Sequence, residues 1–241
     1  MVGGIDSFRE WFRDYESNYV IIGGTACDLL MNEAGLDFRA TRDLDIVIIV
    51  ESMNAQFGSR IWEYVREAGY ERRFMSSGKP RYYRFVKPKS SKYPAMIEFF
   101  SRHVDGIVLP PGTTLTPLPI GDEVPSLSAI LLDDVYYDFL RTGVTVSDGI
   151  SILDAAHLIP LKAKAWLNLR ECKAQSSPVD SNDIRKHRND ILRLLGLLSP
   201  DTDIVLPDAI AMDMTAFLSD VDEHVNLVRV AAAYNLTDLS P

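Results

Sequence analysis

The apolar positions change period along the chain, and those changes divide it. Ile5, Phe8, Trp11, Phe12 and Tyr15 recur at helical spacing, which predicts a short amphipathic helix over residues 5–16. Residues 19–22 are a short apolar strand that runs into Gly23-Gly24-Thr25, and a helix is expected over 26–34. Residues 44–50 read as a second strand. The stretch 56–69 predicts a helix with Ile61, Tyr64, Val65 and Ala68 on its apolar face and Gly69 as its stop. Three strand-like runs follow at 70–75, 81–86 and 94–100. The turn cluster Ser76-Ser77-Gly78-Lys79-Pro80 joins the first two.

Residues 106–123 are rich in Pro, Gly and Thr and are expected to cross the surface. Short strands are expected at 128–132 and 143–146. After Asp154, a good helix N-cap, the pattern turns helical. A helix is predicted over 155–172, with Pro160 breaking its first turn. Further helices are predicted over 181–198 and, after Pro207, over 208–223, with a last helical stretch beyond. The class is therefore α+β. A sheet-bearing region spans 1–153, and a helical C-terminal region spans 154–241.

Composition narrows the class. The 241 residues are 46% hydrophobic and 24% charged, the balance of an ordinary globular chain. The densest apolar run, residues 46–50, is strand length, far below the ~20 residues of a membrane span. The first residues lack a basic flank followed by an apolar stretch, so no secretory signal and no membrane partner are expected. Cys27 and Cys172 form no metal spacing and are expected as free thiols in a reducing cytoplasm.

The net charge of −9 argues against a general coat on nucleic acid. It is unevenly spread. Residues 60–102 hold 11 Lys/Arg against 4 acids, and residues 201–241 hold 1 Arg against 8 acids. These are either a solvated basic hairpin with an acidic tail, or a basic face for a phosphate-bearing substrate. In the second case Arg72, Lys79 and Arg81 would meet phosphates, and Tyr82 and Tyr83 would stack on an unpaired base.

The candidate chemistry lies in Tyr19-Val-Ile-Ile-Gly-Gly-Thr-Ala26 and Arg39-Ala-Thr-Arg-Asp-Leu-Asp-Ile46. A strand that ends on glycines and opens a helix lets a ligand approach the backbone, and the helix start favours an anion. Gly23, Gly24 and the Thr25 hydroxyl make a phosphate cradle by that logic, unless the turn serves packing alone. Asp43 and Asp45 lie one residue apart on a strand, so both carboxylates share a face. Either that face is simply solvated, or a cation such as Mg²⁺ sits between the two charges. Glu98 interrupts the apolar strand Ala95-Met-Ile-Glu-Phe-Phe100. It either completes a two-metal site with the aspartates or forms a salt bridge to Arg84 or Arg102.

In this order the segments resemble the nucleotidyltransferase superfamily. Arg39-x-Thr41-x-Asp43-Leu44-Asp45 is similar to the R-x-T/S-x-D-L-D segment of one branch. Leu161-Lys-Ala-Lys-Ala-Trp-Leu167 looks like its lysine-bearing helix, and Asp183-Ile-Arg-Lys-His-Arg-Asn-Asp190 like a charged helix that follows. Over residues 18–195 the chain thus resembles the AbiEii/AbiGii toxin-like nucleotidyltransferase family. Two departures stand out: Thr25 where many members have Ser, and 18 residues between Gly24 and Asp43.

The resemblance implies a minimal polymerase-β-like fold, with a mixed sheet flanked by helices, that binds a nucleoside triphosphate with Mg²⁺. It implies metal-holding roles for Asp43, Asp45 and Glu98, with Glu98 also a candidate base. Gly23, Gly24, Thr25, Arg39, Arg42, Lys162, Asp183 and Lys186 would contact the nucleotide. Members are often toxins of toxin–antitoxin or phage-defence pairs, so an RNA acceptor and a cognate antitoxin are expected partners. A small-molecule nucleotidyltransferase of the aminoglycoside-modifying sort and a non-catalytic nucleotide-binding module are the alternatives. Several candidates have plainer readings. Lys162 and Lys164 either reach a phosphate or snorkel from a core helix. Lys186 and Asp190 form an i,i+4 pair on the helix surface, and His187 sits at the edge of a buried stripe.

Overall fold

The computed structural model describes residues 2–74, 80–100, 133–175, 179–199, 201–221, 233, 234 and 236, with backbone alone for residues 50, 72–74 and 80–83. They fall into two compact units. One is drawn from Met1–Asp122 and Val144–Leu153, the other from Glu123–Gly143 and Asp154–Pro241.

The first unit carries the sheet. Its strands are β1 (Tyr19–Ile22), β2 (Asp43–Ile48), β3 (Glu71–Phe74), β4 (Pro80–Val86), β5 (Met96–Phe100), β6 (Val144–Ser147) and β7 (Ile150–Leu153). They are ordered β3-β4-β5-β2-β1-β7-β6. The sheet is mixed: β1 runs parallel to β7 and β2 parallel to β5, while the other neighbours are antiparallel. The class is α+β, as the periodicity predicts.

Alternation along β2 puts Leu44, Ile46 and Ile48 on one face and Asp43, Asp45 and Val47 on the other. The apolar face is covered by helices α1 (Ile5–Trp11) and α3 (Ala55–Ala68). Phe8 and Phe12 meet the Tyr19 ring at 5.2 and 6.1 Å, and Trp62 meets Phe85 at 5.8 Å. Helix α3 starts where Asn54 Oδ1 accepts the Phe57 N–H and stops at Gly69, whose φ of 65° is left-handed. Between β1 and β2 lies helix α2 (Gly23–Glu33), which begins at the glycines rather than after them.

The second unit is helical among its described residues: α4 (Asp134–Thr142), α5 (Ala155–Ala174), α6 (Ser181–Leu194) and α7 (Asp208–Asp220). Helix α4 precedes β6 in the chain yet stands with the C-terminal helices, because its apolar face is used there. Phe139 packs 4.5 Å from the His157 ring, and Tyr136 Oη donates to Asp213 Oδ2 at 2.8 Å. Asp154 caps α5 by accepting the His157 N–H, and its carboxylate also holds His157 Nδ1.

Pro160 does not break α5, which runs unbroken from Ala155 to Ala174. A proline has no N–H for the carbonyl four residues back, here Ala156. That carbonyl instead accepts the Tyr234 hydroxyl, from 78 residues downstream, at 2.5 Å. The expected strand at 128–132, the surface crossing at 106–123 and most of the last helical stretch lie outside the described residues.

Candidate active site

The site is assembled where β1 hands over to α2. Ile22 is extended, Gly23 has φ of 69°, and the first turn of α2 has no side-chain cap. The first N–H groups of a helix have no acceptor within the helix itself. Ile22 pairs with Asp45 across β1 and β2, so the helix start is held against the D-x-D strand. A Cβ at Gly23 would overlap the Asp45 carboxylate. One at Gly24 would lie 2.8 Å from Thr41 Oγ1 and 3.2 Å from an Arg39 guanidinium nitrogen. Both glycines thus mark a close approach of other groups to the backbone. The Arg39 guanidinium also lies 5.1 Å from the Phe38 ring.

Thr25 serves this geometry from below. It is fully buried, and its hydroxyl donates to the Asp43 carbonyl at 2.6 Å. The proton expected to reach a phosphate instead ties the start of α2 to β2. Arg42 is exposed at the strand's entrance.

Glu98 comes beside Asp45 in the parallel pairing of β2 and β5. Its position is the one a three-carboxylate site needs, but its charge is committed elsewhere. Arg84, facing it from β4, donates through Nε to Glu98 Oε1, and both side chains are largely buried. Of the two roles open to Glu98, the ion pair is the one formed. Among the described residues, no group of three His, Cys, Asp or Glu stands as a metal-holding cluster. Asp43 and Asp45 share one face of β2, and Glu98, beside Asp45 on β5, is the member of the expected trio that carries an ion pair.

A pair still fits Mg²⁺. That ion keeps several waters and is commonly held by one or two carboxylates together with substrate phosphates. The surroundings fit the phosphates: an uncapped helix N-terminus, two glycines and the Arg39 guanidinium. Cation-favouring and anion-favouring groups stand in contact, which suits a metal-bound polyphosphate.

The remaining candidates belong to the second unit. Lys162 is buried, and its Nζ lies 2.9 Å from Asp190 Oδ2, itself fully buried. Asp190 therefore pairs across helices with Lys162, not along its own helix with Lys186. Asp183 and Lys186 are exposed on α6. Lys164 Nζ lies 2.8 Å from Asp213, which also holds the Tyr136 hydroxyl. Burial, and then the Asp213 charge, push the pKa of Tyr136 well above the ordinary tyrosine value.

Two residues of the site lacked an assignment. Thr41 was visible only as a letter of the motif, and Arg84 only as a salt-bridge option for Glu98. The signal for Arg84 was a basic residue alternating with aromatics on a strand adjacent in sequence. The side chains of Arg72, Lys79, Arg81, Tyr82 and Tyr83 lie outside the described residues.

No family model matches the chain, and no curated protein matches it. Among solved structures it is similar to an antigenic nucleotidyltransferase-like protein from Paracoccidioides brasiliensis. That similarity has 14% identity and a TM-score of 0.47, and covers 97% of this chain and 95% of that one. It is also similar to the antibiotic-resistance factor ANT(2'')-Ia, at 13% identity and a TM-score of 0.38, with 89% of each chain covered.

Proposed function

We propose that this chain is a Mg²⁺-dependent nucleotidyltransferase, moving a nucleoside monophosphate from a nucleoside triphosphate to an acceptor hydroxyl. The observation that carries the reading is the contact of Gly23, at the uncapped start of α2, with the Asp45 carboxylate. It brings an anion-binding backbone and a cation-binding strand to one point. The R-x-T-x-D-L-D resemblance supports it further, because Arg39, Thr41 and Asp45 all meet the glycine pair.

In this reading Asp43 and Asp45 hold Mg²⁺, which supplies charge neutralisation to the triphosphate and the leaving pyrophosphate. The α2 N–H groups and Arg39 orient the phosphates. The acceptor oxygen attacks the α-phosphorus in line, the bond to pyrophosphate breaks with its electron pair, and the acceptor proton passes to water. Glu98, paired with Arg84, steadies β5 beside Asp45 rather than binding metal. Gly23 and Gly24 leave room for the ligand, and Thr25 holds β2 in place. Lys162 is paired with Asp190, and this reading gives it no phosphate.

As to the acceptor and the biological role, the resemblance to the AbiEii/AbiGii family favours an RNA end, and a toxin kept in check by an antitoxin. The decisive experiment is incubation with labelled nucleoside triphosphates, Mg²⁺ and either total RNA or an aminoglycoside. Wild type should label RNA, and Asp43→Asn should abolish labelling while its melting temperature is kept or raised, since a like-charge repulsion is relieved. Labelling of the aminoglycoside alone transfers the reading to the small-molecule class. Full activity in Asp43→Asn, or in EDTA, refutes it.

A further inference from the structure

The helical unit holds a cavity of about 400 Å³ between α5 and α6. Its walls follow from spacing. Trp166, Arg170 and Lys173 lie at i, i+4 and i+7 on α5, and Ser181, Arg185 and Arg188 at i, i+4 and i+7 on α6. Two helical stripes thus face each other, and each brings two cations. Asp220, at the end of α7, is the one acid among the described lining residues.

The four cations are not equally committed. Arg170 is ion-paired with Asp220, and its guanidinium lies 4.5 Å over the Trp166 ring. Lys173 donates to the Ser181 hydroxyl, and Arg185 to Asn182 Oδ1 at 2.7 Å. Those two oxygens are neutral, so they orient the cations without cancelling their charge. Arg188 is half-buried and donates to Asn189 Oδ1 at 3.3 Å. Gathering like charges around a concavity raises their mutual repulsion unless an anion is bound. It is notable on a chain whose net charge is −9, where cations are the scarcer charge.

From this arrangement we infer a second anion site, which takes a small phosphate-bearing molecule such as a polyphosphate chain. Guanidinium groups present paired N–H donors that match two phosphate oxygens, and the ammonium of Lys173 adds a point charge. The cavity exceeds a single phosphate and suits two or three linked ones. Its residues share nothing with the carboxylates of β2, so the site does not depend on Mg²⁺ or on the proposed reaction.

Titration calorimetry with inorganic tripolyphosphate in EDTA tests the inference. Wild type and the Asp43→Asn/Asp45→Asn double variant should bind alike. Lys173→Gln/Arg185→Gln should bind on the order of tenfold more weakly, the loss expected from charge-assisted hydrogen bonds. Both substituted side chains are exposed, so melting temperature is expected to hold. Equal binding by Lys173→Gln/Arg185→Gln, or loss of binding in the β2 variant, overturns the site. So does sulfate binding as tightly as tripolyphosphate. Adenosine triphosphate, added in the same buffer, separates a nucleotide from a bare polyphosphate as the source of the phosphates. A single-stranded oligoribonucleotide that binds more tightly than tripolyphosphate, and is weakened by the same variant, refutes the small-molecule assignment in favour of nucleic-acid phosphates.

Discussion

At Gly23 two constraints coincide, and each alone selects glycine. The φ of 69° disfavours any side chain by about 1–2 kcal/mol, and a Cβ would overlap Asp45 Oδ2. Gly24 faces only the ends of two side chains, Thr41 and Arg39, which can turn aside. The two neighbours should therefore separate experimentally. Gly23→Ala is expected to cost about 2 kcal/mol or more in urea unfolding and to lose transfer with it. Gly24→Ala should stay close to wild type in stability and show its defect in the KM for nucleotide. Equal destabilisation by both would contradict this account. The pair was legible as a cradle because Gly-Gly at a strand end has few other uses. What the linear chain could not show is that Thr25 turns its hydroxyl inward to the Asp43 carbonyl, since a serine-like residue reads the same whether it faces ligand or backbone.

At the scale of elements, the buried pair of Lys162 and Asp190 joins α5 to α6. Removing one member of such a buried pair costs about 3–5 kcal/mol, whereas replacing both partners with apolar residues can be neutral. Lys162→Met is thus expected to lower unfolding free energy by that amount, and Lys162→Met/Asp190→Leu to recover most of it. A lysine that gripped triphosphate would behave oppositely, raising KM with little change in stability.

Elements with a strong helical stripe, such as α3 and α6, were readable, and so were the strands around the D-x-D. Helix α4 escaped because Val135-Tyr136-Tyr137 favours strand locally, and only the Asp133 cap marks its start. Strand β7 escaped because four apolar residues abutting a helix cap have no period of their own. The partner of Asp190 was missed for a related reason. Spacing names neighbours along a helix, and Lys186 is one, but it does not name the lysine across the interface.

For the whole molecule, a division at 153/154 follows from composition. The structure adds that α4, well before that point, belongs with the later helices. The difference is topological. Strand β7 returns to pair beside β1, and only after that do the remaining helices follow. Ligand binding gives a test at this scale. A nucleoside triphosphate with Mg²⁺ at a hundredfold its Kd should add about 2.7 kcal/mol of stability, or a rise of roughly 5–10 °C in melting temperature. Asp43→Asn/Asp45→Asn should remove the part of that rise that requires Mg²⁺. A rise that survives in EDTA would place the binding elsewhere than β2.

The hydrogen bond from Tyr234 to the Ala156 carbonyl has a consequence for timing. Helix α5 contains a gap, made by Pro160, that its own turn cannot close. The group that closes it lies 78 residues downstream, so it leaves a ribosome well after α5 does. Until then the carbonyl must bond to water, and the first turns of α5 open more readily than the rest. Native-state hydrogen exchange should record that history in the finished protein. In Tyr234→Phe, the amides of residues 158, 159, 161 and 162 should exchange faster, by a factor corresponding to about 1–2 kcal/mol, while those of α6 stay protected. Pro160→Ala supplies the missing N–H, and in the double variant the early exchange should slow again. If Tyr234→Phe leaves those amides unchanged, the tyrosine is holding the helix by its ring and not by its hydroxyl.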